Sequence, residues 1–523
     1  MPTVNITKFG GGKANDYTSP SIGESSISKH FDILTYPNRL QPLRGMTGSG
    51  EPANSLIGNM ILTSDGAMYG IGLNPDTGTN GEIWIKSGFG LTDYWRQMTV
   101  RQNSGRVFSE SAGHYDFFVH FPEMEAARKL FWSSTNYLNA SNLPGDGSGS
   151  LSENALTFST IGQGLVHPKK KILYFPYKTT TTHYIGQISS HASDPFGTVN
   201  YTAFALPFRY RAYCLSYYGD FLAIPLTTAV AGGKFSSLVY FWDMDTTNTL
   251  VSQSIPWGTG SLKVMNNLNG ILIGISQENI SSATSQDVDK ITIRAYDGGS
   301  ESVLIKELIV TRLTTTQPVC TLNYRVNYIY NDRLYFSCNL VGGGSNYYGL
   351  WSVGKNEFGR WTVVLERMAT NDGSETSVIA ACQAGDYISM VHTANGTITS
   401  SNNGNTLSDI YSATSVFESG INPEMSESDK EKRKQVLGVY ATYLPLPDAA
   451  IVVMQYRVDS DADGSWTTCF TESVNNETRT ERFYDSSGNK FTIGKKYEFR
   501  ITSIGGAIIT GYGYKYQNLA TNI

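Results

Sequence analysis

The densest run of metal-type ligands in the chain is Asp459-Ser460-Asp461-Ala462-Asp463-Gly464, carboxylates at alternate positions with a glycine at the sixth. Such a run can fold around Ca²⁺, so Asp459, Asp461 and Asp463 are candidate ligands; no other cofactor is expected. An EF-hand loop also places a bidentate Glu at its twelfth position, and Phe470 stands there with no flanking helical pattern. The same residues make a good polar turn between Tyr456-Arg457-Val458 and Trp466-Thr467-Thr468, and both readings stay open. Seven histidines (30, 114, 120, 167, 183, 191 and 392) form no HxH or HExxH pair. Gly10-Gly11-Gly12 has no strand or helix pattern beside it, which argues against a phosphate loop. No G-x-S-x-G elbow is present.

Exposed aromatic and cationic side chains are the remaining chemistry. Trp95, Tyr347 and Tyr348 lie in polar or Gly-rich surroundings and are candidates for contact with a partner or a sugar. Lys29 and Phe31 are further interface candidates, at the entry to the structured part of the chain. Sialidase-type propellers carry S-x-D-x-G-x-x-W turns; Ser460–Trp466 holds similar residues at a different spacing. Catalysis of that type needs an arginine cluster, a tyrosine nucleophile and an acidic partner. Arg209, Arg211, Arg294, Arg325, Arg333 and Arg360 are available, but no sequence pattern gathers them.

The elements that must position these residues are strands. Seven times a short polar turn runs into an apolar, aromatic segment: at Asp65-Gly66, Arg128-Lys129, Lys170-Lys171, Gly219-Asp220, Asn269-Gly270, Asn331-Asp332 and Gly385-Asp386. Their spacing of roughly 40 to 65 residues is that of four-stranded propeller blades. An open array would leave bare sheet edges, so a closed ring is expected. The sequence predicts an all-β chain: an extended N-terminal arm over 1–30, a seven-bladed β-propeller (six to eight blades) over 31–420, a charged linker over 421–435 and a small β-sandwich over 436–523. The stretch from Phe31 is expected to close the ring by pairing with 409–417, and loss of residues 1–27 to leave a folded monomer that fails to assemble.

Composition agrees with sheets and excludes some partners. Charged residues are only 16% of the 523, while 32 Tyr and 23 Phe suit pleated, half-buried surfaces. A net charge of −5 offers no basic field for nucleic acid. Five cysteines without metal-type spacing read as small apolar residues in a reducing compartment. No apolar segment is long enough for a membrane span.

The layout resembles virion structural proteins of tailed bacteriophages, in particular β-propeller tail-nozzle and neck or adaptor components. The resemblance rests on the opening Phe9-Gly10-Gly11-Gly12 arm, Lys29–Arg44 entering the ring, the charged linker, Val436–Pro447, and Tyr456–Asp459 followed by Gly464-Ser465-Trp466. It implies a non-enzymatic, homo-oligomeric ring in the virion, assembled in the host cytoplasm. Portal, adaptor or tail proteins would be its partners, and DNA would pass without sequence-specific binding. Two other readings remain: a carbohydrate-binding receptor or decoration protein of the virion, and a propeller glycosidase.

Overall fold

A computed structural model describes residues 2–13, 24–43, 47–48, 56–63, 66–73, 81–86, 96–98, 118–120, 130–134, 137–141, 151–155, 159–160, 162–179, 182–189, 198–230, 234–247, 251–278, 288–311, 320–342, 345–368, 370–371, 374–375, 378–385, 387–392, 398–402, 414–459 and 465–519. They are almost wholly strands, organised as several four-stranded antiparallel sheets, as the alternating aromatic pattern requires. The chain divides into two compact units, one of residues 47–340 and 369–402, the other of 1–46, 341–368 and 403–523.

The larger unit is built from repeats of one hairpin. Their first two strands are Leu56–Leu62 and Met68–Leu73 in repeat 1, Phe118–His120 and Leu130–Ser134 in repeat 2, and Leu165–Val166 and Ile172–Lys178 in repeat 3. Ser216–Tyr218 and Phe221–Ala229 open repeat 4, Ser261–Leu268 and Ile271–Glu278 repeat 5, Cys320–Tyr330 and Arg333–Gly342 repeat 6, and Val378–Ala384 and Tyr387–His392 repeat 7. The turn residues explain the hairpins. Asn269-Gly270 and Asn331-Asp332 both sit at positive φ between paired flanks, as a two-residue turn matching strand twist demands. Gly219 and Gly385 do the same at the corresponding turns.

Neighbouring repeats meet in chain order, and repeat 7 meets repeat 1. Repeats 3 and 4 share a core in which the Tyr174 and Trp242 rings stand 5.9 Å apart, edge to face. Buried polar groups on second strands reach the next first strand: Thr227 Oγ1 accepts from Leu262 N–H (3.0 Å), and Ser337 Oγ donates to Val378 C=O (2.7 Å). These bonds satisfy backbone groups that strand pairing leaves over, and they fix the register between repeats. All five cysteines are buried, and none is in a disulfide.

Ring closure differs from the expectation. The strand completing repeat 7 is Thr47–Gly48, paired with Thr399 and Ser400. Residues 415–419 instead pair with Glu24–Lys29 and Tyr497–Ile504 in the smaller unit. Phe31 is fully buried, its backbone bridged to Pro42, and Leu40 bridges to Ile509.

The N-terminal segment is likewise no free arm. Thr3–Ile6 pairs with Ile509–Asn518, and Val4, Ile6 and Phe9 enter the smaller unit's core. Strands of two sheets supply most of that core. One has the order Thr3–Ile6, Ile509–Asn518, Lys434–Tyr443, Arg479–Arg482. The other runs Gly12–Lys13, Glu24–Lys29, Ser415–Ser419, Tyr497–Ile504, Ile451–Val458, Thr467–Glu472.

The expected linker is folded as well. It holds one helical turn, Glu427–Lys430, with Met425 in the core. Asp429 accepts from Tyr516 Oη and Asn518 Nδ2, at 2.7 and 2.8 Å. The fully buried Lys434 ammonium donates to Lys430 C=O at 3.0 Å and to Lys495 C=O at 2.5 Å. Among the described residues no helix is long and apolar enough to cross a membrane.

Candidate functional site

Most first strands of the larger unit share one irregularity. Near the start of four of them the first strand gains residues that its second-strand partner lacks: Gly58 in repeat 1, Lys263 in repeat 5, Tyr324-Arg325-Val326 in repeat 6 and Ile379 in repeat 7. In repeat 4, four residues from Ala212 to Leu215 span between the Arg211–Thr227 and Ser216–Ala223 pairs, against three on the partner. In repeat 3, the stretch between the Thr160–Tyr177 and Leu165–Tyr174 pairs contains Gln163. Bulges at one level re-aim side chains and are frequent beside binding sites.

These bulged residues meet as a belt. Asn59 Nδ2 donates to Gln163 Oε1 at 3.1 Å, and Gln163 N–H donates to Tyr213 C=O at 2.9 Å. The Tyr213 and Tyr324 rings lie 5.5 Å apart, although their repeats are not neighbours in sequence. Three cations surround them. The Arg211 guanidinium is 4.8 Å from the centre of Tyr213, Lys263 Nζ is 5.9 Å from it, and Arg325 is 5.9 Å from the centre of Tyr324. Asn323 continues the belt by donating to Val378 and Ile379 C=O, at 3.1 and 2.8 Å.

Close packing holds these groups in place. Gly162 lies so near Tyr213 that a Cβ there would stand 2.2 Å from the Tyr213 carbonyl oxygen. Gln277 accepts from Lys263 Nζ and from Leu322 N–H, both at 2.8 Å, and donates to Cys320 C=O at 3.0 Å. Burial, and after it the charge of Arg211, lowers the Lys263 ammonium to about 8. His183 is lowered by burial and by Lys178 and Arg211. Among the described residues, neither Arg211 nor Lys263 has a carboxylate partner. The belt is thus a positively charged, aromatic surface that complements an anion carried on an apolar or sugar-like body.

The site residues expected from sequence are placed otherwise. Asp461, Asp463 and Trp95 lie outside the described residues. The Asp459 carboxylate accepts from the N–H groups of Lys495 and Lys496, at 2.8 and 2.7 Å, so it fastens a loop. Among the described residues no group of three metal-type ligands is gathered. Lys29 is half-buried in a strand opposite Val416, and Phe31 is core rather than interface. Tyr347 and Tyr348 are half-buried in the strand Ser345–Lys355, not on an open loop. Of the six arginines considered, Arg211 and Arg325 reach the belt, whereas Arg294 donates to Ser302 Oγ and C=O at 2.9 and 2.8 Å.

No protein-family model and no curated protein sequence matches the chain. Solved structures do resemble it. Trypanosoma rangeli sialidase is 10% identical with a TM-score of 0.32, over 99% of this chain and 97% of that one. The β-1,2-mannobiose phosphorylase of Listeria innocua is 11% identical with a TM-score of 0.26, over 66% and 88%. A glycoside hydrolase is 10% identical with a TM-score of 0.25, over 90% and 100%. By their names these neighbours are saccharide enzymes and not virion proteins, so they lend nothing to the expected non-enzymatic role as a phage tail or neck subunit. Scores this low carry no residue roles or substrates across.

Proposed function

We propose that the larger unit is a seven-bladed β-propeller, that the two sheets of the smaller unit form a β-sandwich, and that the chain acts on a saccharide bearing an anionic group. The repeated turn and the return of repeat 7 to repeat 1 support the propeller. The observation that carries the function is the convergence of Arg211, Lys263 and Arg325 on the adjacent, mutually tilted rings of Tyr213 and Tyr324.

A guanidinium grips a carboxylate through two parallel hydrogen bonds, and the tyrosine rings offer flat apolar faces to a sugar ring. Glycosidic cleavage ordinarily uses a carboxylate pair, but a tyrosine can replace the carboxylate nucleophile. Tyr213, whose ring contacts Arg211, Lys263 and Tyr324, is placed against the saccharide in this reading.

The test is turnover of fluorogenic glycosides of sialic and uronic acids beside those of neutral hexoses. Selective release from the acidic glycosides, with KM raised in Arg211→Ala, is the expected result. Equal or absent turnover of both classes, together with no saturable binding of the acidic ones, would sink the proposal.

A further inference from the structure

Lys263 is the one lysine among the described residues that sits on a first-strand bulge within the belt. Its side chain is half-buried and its Nζ is held by Gln277 Oε1 at 2.8 Å, so the amine is fixed over the Tyr213 ring, 5.9 Å from its centre. Gln277 is itself locked by Leu322 N–H and Cys320 C=O, leaving the amine little freedom to swing away. We propose that Lys263 is a nucleophilic amine that forms an imine with the carbonyl carbon of a small oxo-carboxylate, whose carboxylate is held by the Arg211 guanidinium. The choice of an anionic carbonyl compound rests on the anion-binding reading of the belt.

Both ingredients of amine activation are present. An amine reacts through its uncharged form, and desolvation beside a second cation raises the share of that form at neutral pH. Lys263 is lowered to about 8 by burial first and Arg211 second. The nitrogen lone pair adds to the carbonyl carbon, giving a carbinolamine. Loss of one water then leaves a protonated C=N bond, with the former carbonyl oxygen departing in that water. No oxidant is needed. A supplied hydride donor, cyanoborohydride, reduces the imine to a stable secondary amine.

The experiment is reductive trapping on the full chain at pH 7.5. Glyoxylate is the oxo-carboxylate and propanal the neutral comparison, with intact-mass and peptide-mapping readouts. Labelling at Lys263 on the order of tenfold faster than at the exposed Lys169 is expected, given an ordinary lysine pKa of about 10.4. Glyoxylate should outpace propanal. Lys263→Arg, which keeps a donor for Gln277, should fold and lose the fast phase. Labelling of Lys169 as fast as Lys263 would overturn the proposal. If Lys263 reacts first but propanal matches glyoxylate, the anion-binding reading fails while the reactive amine stands. If glyoxylate is preferred yet acidic glycosides are not turned over, the hydrolytic reading fails alone.

Discussion

Arginine meets an aromatic ring in both units, with opposite electrostatic outcomes. In the smaller unit, Trp466 lies beneath Arg457 and Arg500, whose guanidinium carbons stand 4.6 and 4.2 Å from its centre. Each of those arginines is bonded to a buried carboxylate. Arg457 pairs with Glu498 and Arg500 with Glu418, the closest N···O distance being 2.5 Å in both. The charge is neutralised inside the fold, so the cluster joins strands and has no demand left for a ligand. In the belt, Arg211 lies against the Tyr213 and Phe235 rings and Lys263 has an amide partner, and among the described residues neither has a carboxylate partner. The residue types alike, it is the presence or absence of an internal counter-charge that separates a structural cluster from a binding surface.

Breaking the pairs sharpens that contrast. Glu498→Ala strands the largely buried Arg457 and is expected to destabilise the fold by about 3 kcal/mol. Arg211→Ala orphans no partner and should cost less than about 1 kcal/mol. Urea unfolding followed by tryptophan fluorescence measures both, and the reverse ranking would contradict the assignment of roles.

The next effect belongs to ligand binding. Arg211→Ala should weaken binding of an acidic glycoside by about 2 kcal/mol, the scale of a charge-assisted hydrogen bond. Arg500→Ala should leave that affinity unchanged. Calorimetric titration separates the two.

Gly162→Ala probes the packing behind the belt. The new methyl must displace the Tyr213 carbonyl, and overpacking of this kind costs about 1–3 kcal/mol. Thermal unfolding reports the cost. Binding should weaken too, since the Tyr213 ring moves with its backbone.

The smallest effect is on pH. Lys263 is lowered in the fold to about 8 from its free value of 10.5. Its cationic form is thus disfavoured in the native state, and that penalty to folding fades as pH rises from about 8 towards 10.5. Anion binding wants the cation, so affinity should fall as pH rises through about 8. Lys263→Met should flatten the profile. A slope that survives the substitution would assign it elsewhere.

The hairpins of the larger unit were readable because a two-residue turn restricts its residues chemically. Asn269-Gly270 is such a pair, and its positive φ values are what those residue types accommodate. Closure was not readable, since Thr47–Gly48 contributes two residues with no apolar signal. The aromatic stretch from Phe31, which looked like a ring strand, has its apolar character for another reason: Phe31 and Leu40 fill the core of the smaller unit. Val4 and Ile6 alternate as a strand should, but the glycines that follow obscured them. The belt was hidden most completely. A bulge is a one-residue shift between two strands, so Lys263 reads as an ordinary strand position until its pairing with Ser276 and Ile275 is seen to skip it. Arg211 and Arg325 were visible as arginines, and only the meeting of repeats 4 and 6 through Tyr213 and Tyr324 brings them together.

The most direct measurement is calorimetric titration of the full chain at pH 7 with 3′-sialyllactose and, separately, with lactose. If the belt takes an anionic saccharide, the acidic trisaccharide binds saturably, lactose does not, and Arg211→Ala with Lys263→Met abolishes the signal without unfolding the protein. Equal binding of the two sugars, or acidic binding untouched by the double substitution, would contradict the account.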